Sequence, residues 1–355
     1  MSSTTQDYGR WVIPTASGLD SLEYIETPVS FSLRPDDTLV RLHAASLNPR
    51  DVAVVKGVGK VVAGANIKPG LVPGSDGAGV IVEVGSAVTA FQPGDRVVTH
   101  IALGISDDAF PTLTDLEAGL GHETDGTLRR LGVFHQTALV HMPSHLSFEE
   151  AATVTCSGLT AWNALMAAPG RPVRSGDYVL VQGTGGVSIA ALQIAVAAGA
   201  TVIATTSSDD KAVRLRALGA AHVINYRTTL EWGKAARQHT PSGRGVDHVV
   251  DIGGNSTLPQ SIAATRIDGI VSLAGASGGF DAKPTDIFEV LWNGIIIRGV
   301  LVGGRQMLRD MMEWMEVHRL KPALDDVAFE LRDVKKAYER LDGKKHFSKV
   351  VIKIN

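Results

Sequence analysis

The sequence predicts an α/β chain of two domains, an irregular β-rich domain followed by a doubly wound parallel sheet. Three observations carry that expectation. Residues 177–206 read as strand, glycine turn, helix, strand. From Ser147 onward, helical and strand patterns alternate, as parallel sheets with crossover helices do. Residues 1–150 instead hold short alternating runs broken by Gly, Pro and Asp. At 355 residues the chain is long enough for two cores.

In chain order, residues 38–44 (TLVRLHA) alternate as a half-buried strand, and residues 80–84 and 96–99 read as further strands. Turn signals follow at Gly85-Ser86 and precede the last strand at Pro93-Gly94-Asp95. The run 101–130 is polar and weakly patterned, which predicts a loop or lid over a cleft. Ser147 followed by Glu150 is a helix-start signal. Helices are expected at 210–218, 230–238, 258–265, 307–318 and 334–341. Strands are expected at 223–224, 246–252, 270–274, 295–302 and 349–354, the last pairing back with the first domain.

The stretch 177–206 (DYVLVQGTGGVSIAALQIAVAAGATVIATT) organises the rest. Tyr178 to Val181 form an apolar run suited to a strand buried on both faces. Gly183, Gly185 and Gly186 let the backbone turn sharply and approach a pyrophosphate, and the next helix points its N-terminus at the phosphates. Ser188 stands at the third glycine position and is small enough for close helix packing. Strand, glycine turn, helix and strand together are the context a dinucleotide fingerprint requires.

Composition excludes several classes. Hydrophobic residues make 44% of the chain, charged ones 20%, and the formal net charge is −3 with no basic tail. No nucleic-acid or membrane partner is expected from that balance. The N-terminal MSSTTQDYGR is polar, without a signal-peptide core. The single cysteine, Cys156, permits no internal disulfide, which fits a cytoplasmic setting. No G-x-S-x-G elbow surrounds Ser157, against a serine hydrolase.

Eight stretches in order resemble the medium-chain dehydrogenase/reductase superfamily over nearly the whole chain. They are SLNPRD (46–51), PGSDGAGVIVEVG (73–85), FQPGDRV (91–97), GLTAWNAL (158–165), GTGGVS (183–188), LGAAHVINYR (218–227), GRGVDHVVDIGG (243–254) and HFSKVVI (346–352). They look most like the zinc-free branch with quinone oxidoreductases and enoyl reductases. The resemblance implies a GroES-like catalytic domain (1–150 and 322–355), a Rossmann domain (151–321) and a cleft between them. The expected cofactor residues are Thr160, Gly183, Thr184, Gly185, Gly186, Val187, Thr206, Ser207, Ser208, Lys211, Tyr226, Gly253, Ala274, Val302 and Lys349.

Zinc members of the superfamily hold a catalytic metal through a Cys, a His and a later Cys. At the matching positions this chain has Asn48, Ser75 and Cys156, and one Cys cannot hold tetrahedral zinc. No metal is therefore expected. Without zinc, fixed donors must hold the charge developing on the substrate oxygen. The candidates are Asn48, Arg50 and Ser75, with Lys56 also in range, and Asp51 and Asp76 as orienting groups. The residues after Asp51, VAVVKGVGK, lack the Tyr that quinone and enoyl reductases often carry there. His100, His122, His135, His141 and His145 lie in the same domain, and no spacing singles one out as a general acid.

The strand ending at Thr206 carries no acid at its tip. Asp209 and Asp210 read as the first turn of the next helix, and Lys211 and Tyr226 suit a 2′-phosphate. NADPH is thus expected, with NADH possible. The leading expectation is a zinc-independent NADPH reductase of conjugated enones or quinones. Zinc-free carbonyl or imine reduction is the alternative, and a non-catalytic NADPH-binding protein comes third. The apolar run 295–302 (IIIRGVLV) at a sheet edge predicts a homodimer.

Overall fold

A computed structural model describes residues 8–58, 67–279 and 282–355. The polar start of the chain and the Gly59-Lys60 end of VAVVKGVGK lie outside the described residues. The chain divides into two units, Met1–Cys156 with Gly304–Asn355, and Ser157–Gly303.

The first unit is built on the strand Asp37–Leu47. One edge pairs with Asp76–Val84; the other is shared by Leu131–His135 and the chain's last strand, Lys349–Lys353. The sheet continues outward through Arg96–Thr99 and Leu139–His141 on one side and Leu324–Glu330 on the other. The expected alternation at 38–44 is overridden. Most positions of Asp37–Leu47 are buried, because polar residues on the second face find partners. Thr38 donates its hydroxyl to Phe134 O at 3.0 Å and Ser46 to Ala152 O at 2.9 Å. Val40, Leu42, Leu47, Phe134, Tyr338 and Ile352 belong to its apolar core.

Asn48 caps and Pro49 starts a helix, Pro49–Lys56. Proline suits the first helical position, and Asp51 Oδ2 accepts the Asn48 N–H at 2.7 Å. The segment 101–130 is less open than a loop. It contains the helix Leu113–Glu117, and Leu116, Leu120, His122 and Leu128 are buried.

The returning segment starts at Gly304 rather than at 322, because the helix Arg305–His318 is bound to the first unit's own loops. Asp107 pairs with Arg305 and with Arg309. At the other end Glu316 accepts from the Ser144 N–H and hydroxyl, both at 2.8 Å, and lies 3.1 Å from His145 Nδ1. The Ser144 hydroxyl, then His145, pull the Glu316 carboxyl down to about 2 from an ordinary 4.5. A carboxyl lowered on folding stabilises fully above its unfolded value and loses that contribution as pH falls toward the folded value. Thermal scans from pH 5 to 2 should therefore show a steeper loss for the native chain than for Glu316→Gln. Parallel curves would remove the carboxylate from this docking.

The second unit is a six-stranded sheet, parallel throughout: His222–Asn225, Thr201–Thr206, Tyr178–Gln182, Val246–Asp251, Thr265–Leu273, Ile296–Gly299. Leu180, Ile203, Val249 and Val271 fill its centre with Trp232 and Ile262 from flanking helices. Chain order reverses direction between Tyr178–Gln182 and Val246–Asp251, which leaves a crevice at the strands' carboxyl ends. The expected edge strand 295–302 is shorter, Ile296–Gly299. Val302 lies beyond it in a left-handed turn (φ 52°), where its carbonyl accepts from Asn163 Nδ2 at 2.8 Å.

Candidate functional site

In the second unit the glycine turn has the conformation its residues imply. Gly183 sits at φ 73°, the left-handed region glycine alone enters without strain. A Cβ at Gly185 would meet nothing within 4 Å, and one at Gly183 would meet only Ile252 Cδ1, at 4.0 Å. The glycines leave room that no protein atom uses, as a cradle for a close ligand does. Helix Gly186–Ala197 starts at Gly185 without a side-chain cap, so its first N–H groups point at that space. Ser188 donates to Gln182 O at 2.5 Å and ties helix to strand, which explains a serine at the third glycine position.

The other expected cofactor residues of this unit fall mostly at neighbouring strand tips. Thr206 ends its strand, Ser207 and Ser208 follow, and Ser208 caps the helix Asp209–Ala217 by accepting the Lys211 N–H at 3.3 Å. Tyr226 N–H donates to Thr206 O at 3.0 Å, and Ala274 N–H to Asp251 O at 2.7 Å. Asp209 Oδ1 accepts from Asn225 Nδ2 at 2.9 Å. Thr160 is buried in the helix Leu159–Leu165. Gly253 belongs to a turn organised by Asp251, whose Oδ1 accepts from Gly253 N, Gly254 N and the Thr257 hydroxyl at 2.7–3.0 Å. Asp251, with Gln182 and Ser261 on its other oxygen, was not foreseen. The signal was an acid ending the apolar run HVVD in a fully buried strand. These residues fit the nicotinamide dinucleotide the fold implies.

Lys349, expected with the cofactor residues, sits in a buried polar cluster of the first unit. Its Nζ donates to Asn48 Oδ1 at 2.6 Å, Leu47 O at 2.9 Å and Asp76 Oδ2 at 3.1 Å. Both partners in the Lys349–Asp76 pair are at most 4% exposed. Ser75 donates its hydroxyl to Asp76 Oδ1 at 2.8 Å. Burial pushes the Asp51 carboxyl up to about 6, against the neighbouring Arg50. Its Oδ1 has no hydrogen-bond partner among the described residues. Arg50 is committed elsewhere, to Leu116 O and Leu120 O, both at 3.0 Å, and so holds the 113–120 segment in place. Lys56 pairs with Asp342 at 2.8 Å, in an exposed bridge.

His122 is buried in the 101–130 segment and feels the charge of Arg50. Its Nδ1 lies 2.7 Å from Glu117 O, an atom that can only accept, so Nδ1 carries the proton. Burial lowers its pKa, and Nε2 has no hydrogen-bond partner among the described residues. Cys156 keeps some exposure, yet desolvation of its sulfur, then Asp76, push the thiol up to about 12. Among the described residues no three His, Cys, Asp or Glu side chains are placed to hold a metal ion. The cluster sets an ammonium, an amide and a hydroxyl beside the Asp51 and Asp76 carboxylates and the Cys156 thiol, and Asp76 is already paired with Lys349, an arrangement that does not fit a zinc site.

Residues 186–317 match the family model for zinc-binding dehydrogenases, and residues 34–144 the alcohol dehydrogenase GroES-like domain. A zinc-type alcohol dehydrogenase-like protein of Schizosaccharomyces pombe is 43% identical over 96% of this chain and 97% of its own. A solved NAD-dependent alcohol dehydrogenase superposes with a TM-score of 0.85 at 34% identity, covering 98% of this chain and all of that one. A quinone oxidoreductase of Pseudomonas syringae pv. Tomato superposes at 0.78 and 25%, over 98% and 99% of the two chains. A GroES-like domain and a Rossmann-type sheet thus stand in one oxidoreductase chain, and it belongs to the medium-chain dehydrogenase/reductase superfamily, among the zinc-type alcohol dehydrogenase-like proteins.

Proposed function

We propose that this chain interconverts a carbonyl and an alcohol with a nicotinamide cofactor and without a metal ion. The observation that carries the reading is Lys349. Its ammonium stands among Asn48, Asp76 and Leu47 O, a fixed positive charge where, among the described residues, no three side chains gather to hold a metal ion. Bound cofactor supplies or accepts the hydride. The likeness to alcohol dehydrogenases favours C=O chemistry over the enone and quinone reading. That second reading keeps support from the quinone oxidoreductase likeness.

The protein's own groups divide the remaining work. Lys349 faces Asn48 Oδ1, so the Asn48 amide nitrogen turns away from it and is the donor offered to a substrate oxygen. The Ser75 proton is committed to Asp76 and the terminal nitrogens of Arg50 to carbonyls, which demotes Ser75 as an oxyanion donor and leaves Arg50 only its Nε. Asp51, raised to about 6, is the group able to take up or release a proton near neutral pH. A panel of aldehydes, ketones, enones, quinones and cyclic imines, followed by NADPH loss and product analysis, tests the reading. Carbonyl turnover that survives chelation is expected. About one zinc per chain, lost together with activity, would overturn the metal-free part, and turnover of enones alone would restore the second reading.

The homodimer remains our reading of the sheet edge. Ile296–Gly299 ends the six-stranded sheet, and beside it in sequence the helix Phe288–Asn293 is capped by exposed apolar side chains. Trp292 is 75% exposed, Ile287 74% and Leu291 62%. Identical open edges can pair about a two-fold axis and cover such groups. Light scattering at micromolar concentration should give twice the chain mass, and Leu291→Glu with Trp292→Glu should return it to the monomer. A monomeric native chain would refute the assembly.

A further inference from the structure

Apart from the polar cluster, the first unit contains a cavity of about 250 Å³ whose wall is unlike that cluster. Tyr8, Val29, Phe31 and Leu131 supply apolar surface, and Arg10 and Arg129 supply two cations. Arg129 is only 8% exposed. One of its terminal nitrogens reaches the carbonyls of Asp125 and Val133 in long bonds of 3.3 and 3.4 Å. Its Nε is buried with no hydrogen-bond partner among the described residues. Burial, not offset by Asp125 and aggravated by Arg10, pushes this guanidinium down to about 10. A buried N–H without an acceptor keeps an unreturned desolvation cost, larger on a charged group, so an acceptor there is favoured.

The chain makes room for this arrangement. A Cβ at Gly132 would lie 2.4 Å from Arg129 Nε and 2.6 Å from its Cζ, so only glycine lets the guanidinium sit as it does. Arg10 is held at the wall by Thr27 O at 3.0 Å. Asp125, the one carboxylate of the wall, already pairs with Lys68 at 3.0 Å and accepts from Val72 N at 3.1 Å. The two arginines therefore leave the cavity with unbalanced positive charge.

We propose that this cavity binds a small organic anion, a monocarboxylate with a short apolar tail. The carboxylate sits against Arg129 and Arg10, and the tail lies along Val29, Phe31 and Leu131. Planar carboxylate oxygens match a guanidinium edge, and the apolar wall favours an alkyl chain over a fully hydrated inorganic anion. The cavity is smaller than the usual range for drug-sized ligands, which suits a chain of a few carbons.

Calorimetric titration of the full chain with hexanoate, hexanamide and inorganic phosphate tests this, without added cofactor or substrate. Hexanoate should bind at least about tenfold more tightly than the uncharged amide of the same shape, since a charge-assisted contact accounts for that factor. Phosphate should bind more weakly than hexanoate. Arg129→Leu should abolish the difference between acid and amide. Arg10→Gln, at a less buried position, should weaken hexanoate several-fold and leave the amide unchanged, and it decides the matter if Arg129→Leu does not fold. Equal binding of acid and amide, phosphate binding as tightly as hexanoate, or an unaltered Arg10→Gln would overturn the assignment.

Discussion

Lys349→Met is expected to destabilise the first unit by about 3–5 kcal/mol, the cost typical of breaking a buried ion pair from one side. The substitution strips Asp76 Oδ2, Asn48 Oδ1 and Leu47 O of a shared donor in one step. Asp76 is then a carboxylate at 1% exposure, left with the Ser75 hydroxyl and a 3.3 Å contact from Ser46. Urea unfolding followed through tryptophan fluorescence reads the loss, because Trp11 is buried in the same core and donates to Leu331 O. Pairing Lys349→Met with Asp76→Leu removes the stranded charge as well and should recover more than half of it. A loss below about 1 kcal/mol would class the pair with exposed bridges. It would also remove Lys349 as the fixed cation of the cluster.

The two-unit architecture was legible because its signals are local. The glycine turn, the apolar strands of the parallel sheet and the Ser147 helix start each depend on a few adjacent residues, and each appears where the pattern put it. Boundaries decided by distant partners were not legible. Nothing local tells that Asp107 and Ser144 hold the helix Arg305–His318, and that contact moves the return point to Gly304. Nor does the alternation at 38–44 tell that Thr38 and Ser46 will be buried and bonded.

The candidate site divides along the same line. Asn48, Asp51, Ser75 and Asp76 were identifiable because they fall in motifs, but the cation that joins Asn48 to Asp76 comes from a strand about three hundred residues on. Lys349 looked like a cofactor residue because HFSKVVI matched a family stretch. Strand pairing of Val350 with Leu47 is what brings its ammonium to Asn48. Arg50 looked like a donor for substrate. The 113–120 carbonyls that occupy it were hidden inside a segment with no pattern to read.

Lys211→Ala should raise the Michaelis constant for NADPH by about tenfold or more and leave that for NADH nearly unchanged. A charge-assisted contact to a 2′-phosphate contributes roughly 1.5–3 kcal/mol, and each 1.4 kcal/mol is a factor of ten. NADH has no phosphate there to lose. Lys211 lies in the first turn of Asp209–Ala217, three residues beyond the Ser208 cap and close to the strand tip at Thr206. Asp209, the acid that would otherwise favour NADH, has Oδ1 held by Asn225 at 2.9 Å. That bond argues against a carboxylate dedicated to the ribose hydroxyls. Tyr226, 40% exposed beside Thr206, should show the same selectivity more weakly as Tyr226→Phe. If Lys211→Ala weakens both cofactors alike, the lysine only supports its helix. If the native chain prefers NADH, Asp209 leaves Asn225 for the ribose, and Asn225→Ala should then strengthen that preference rather than abolish it.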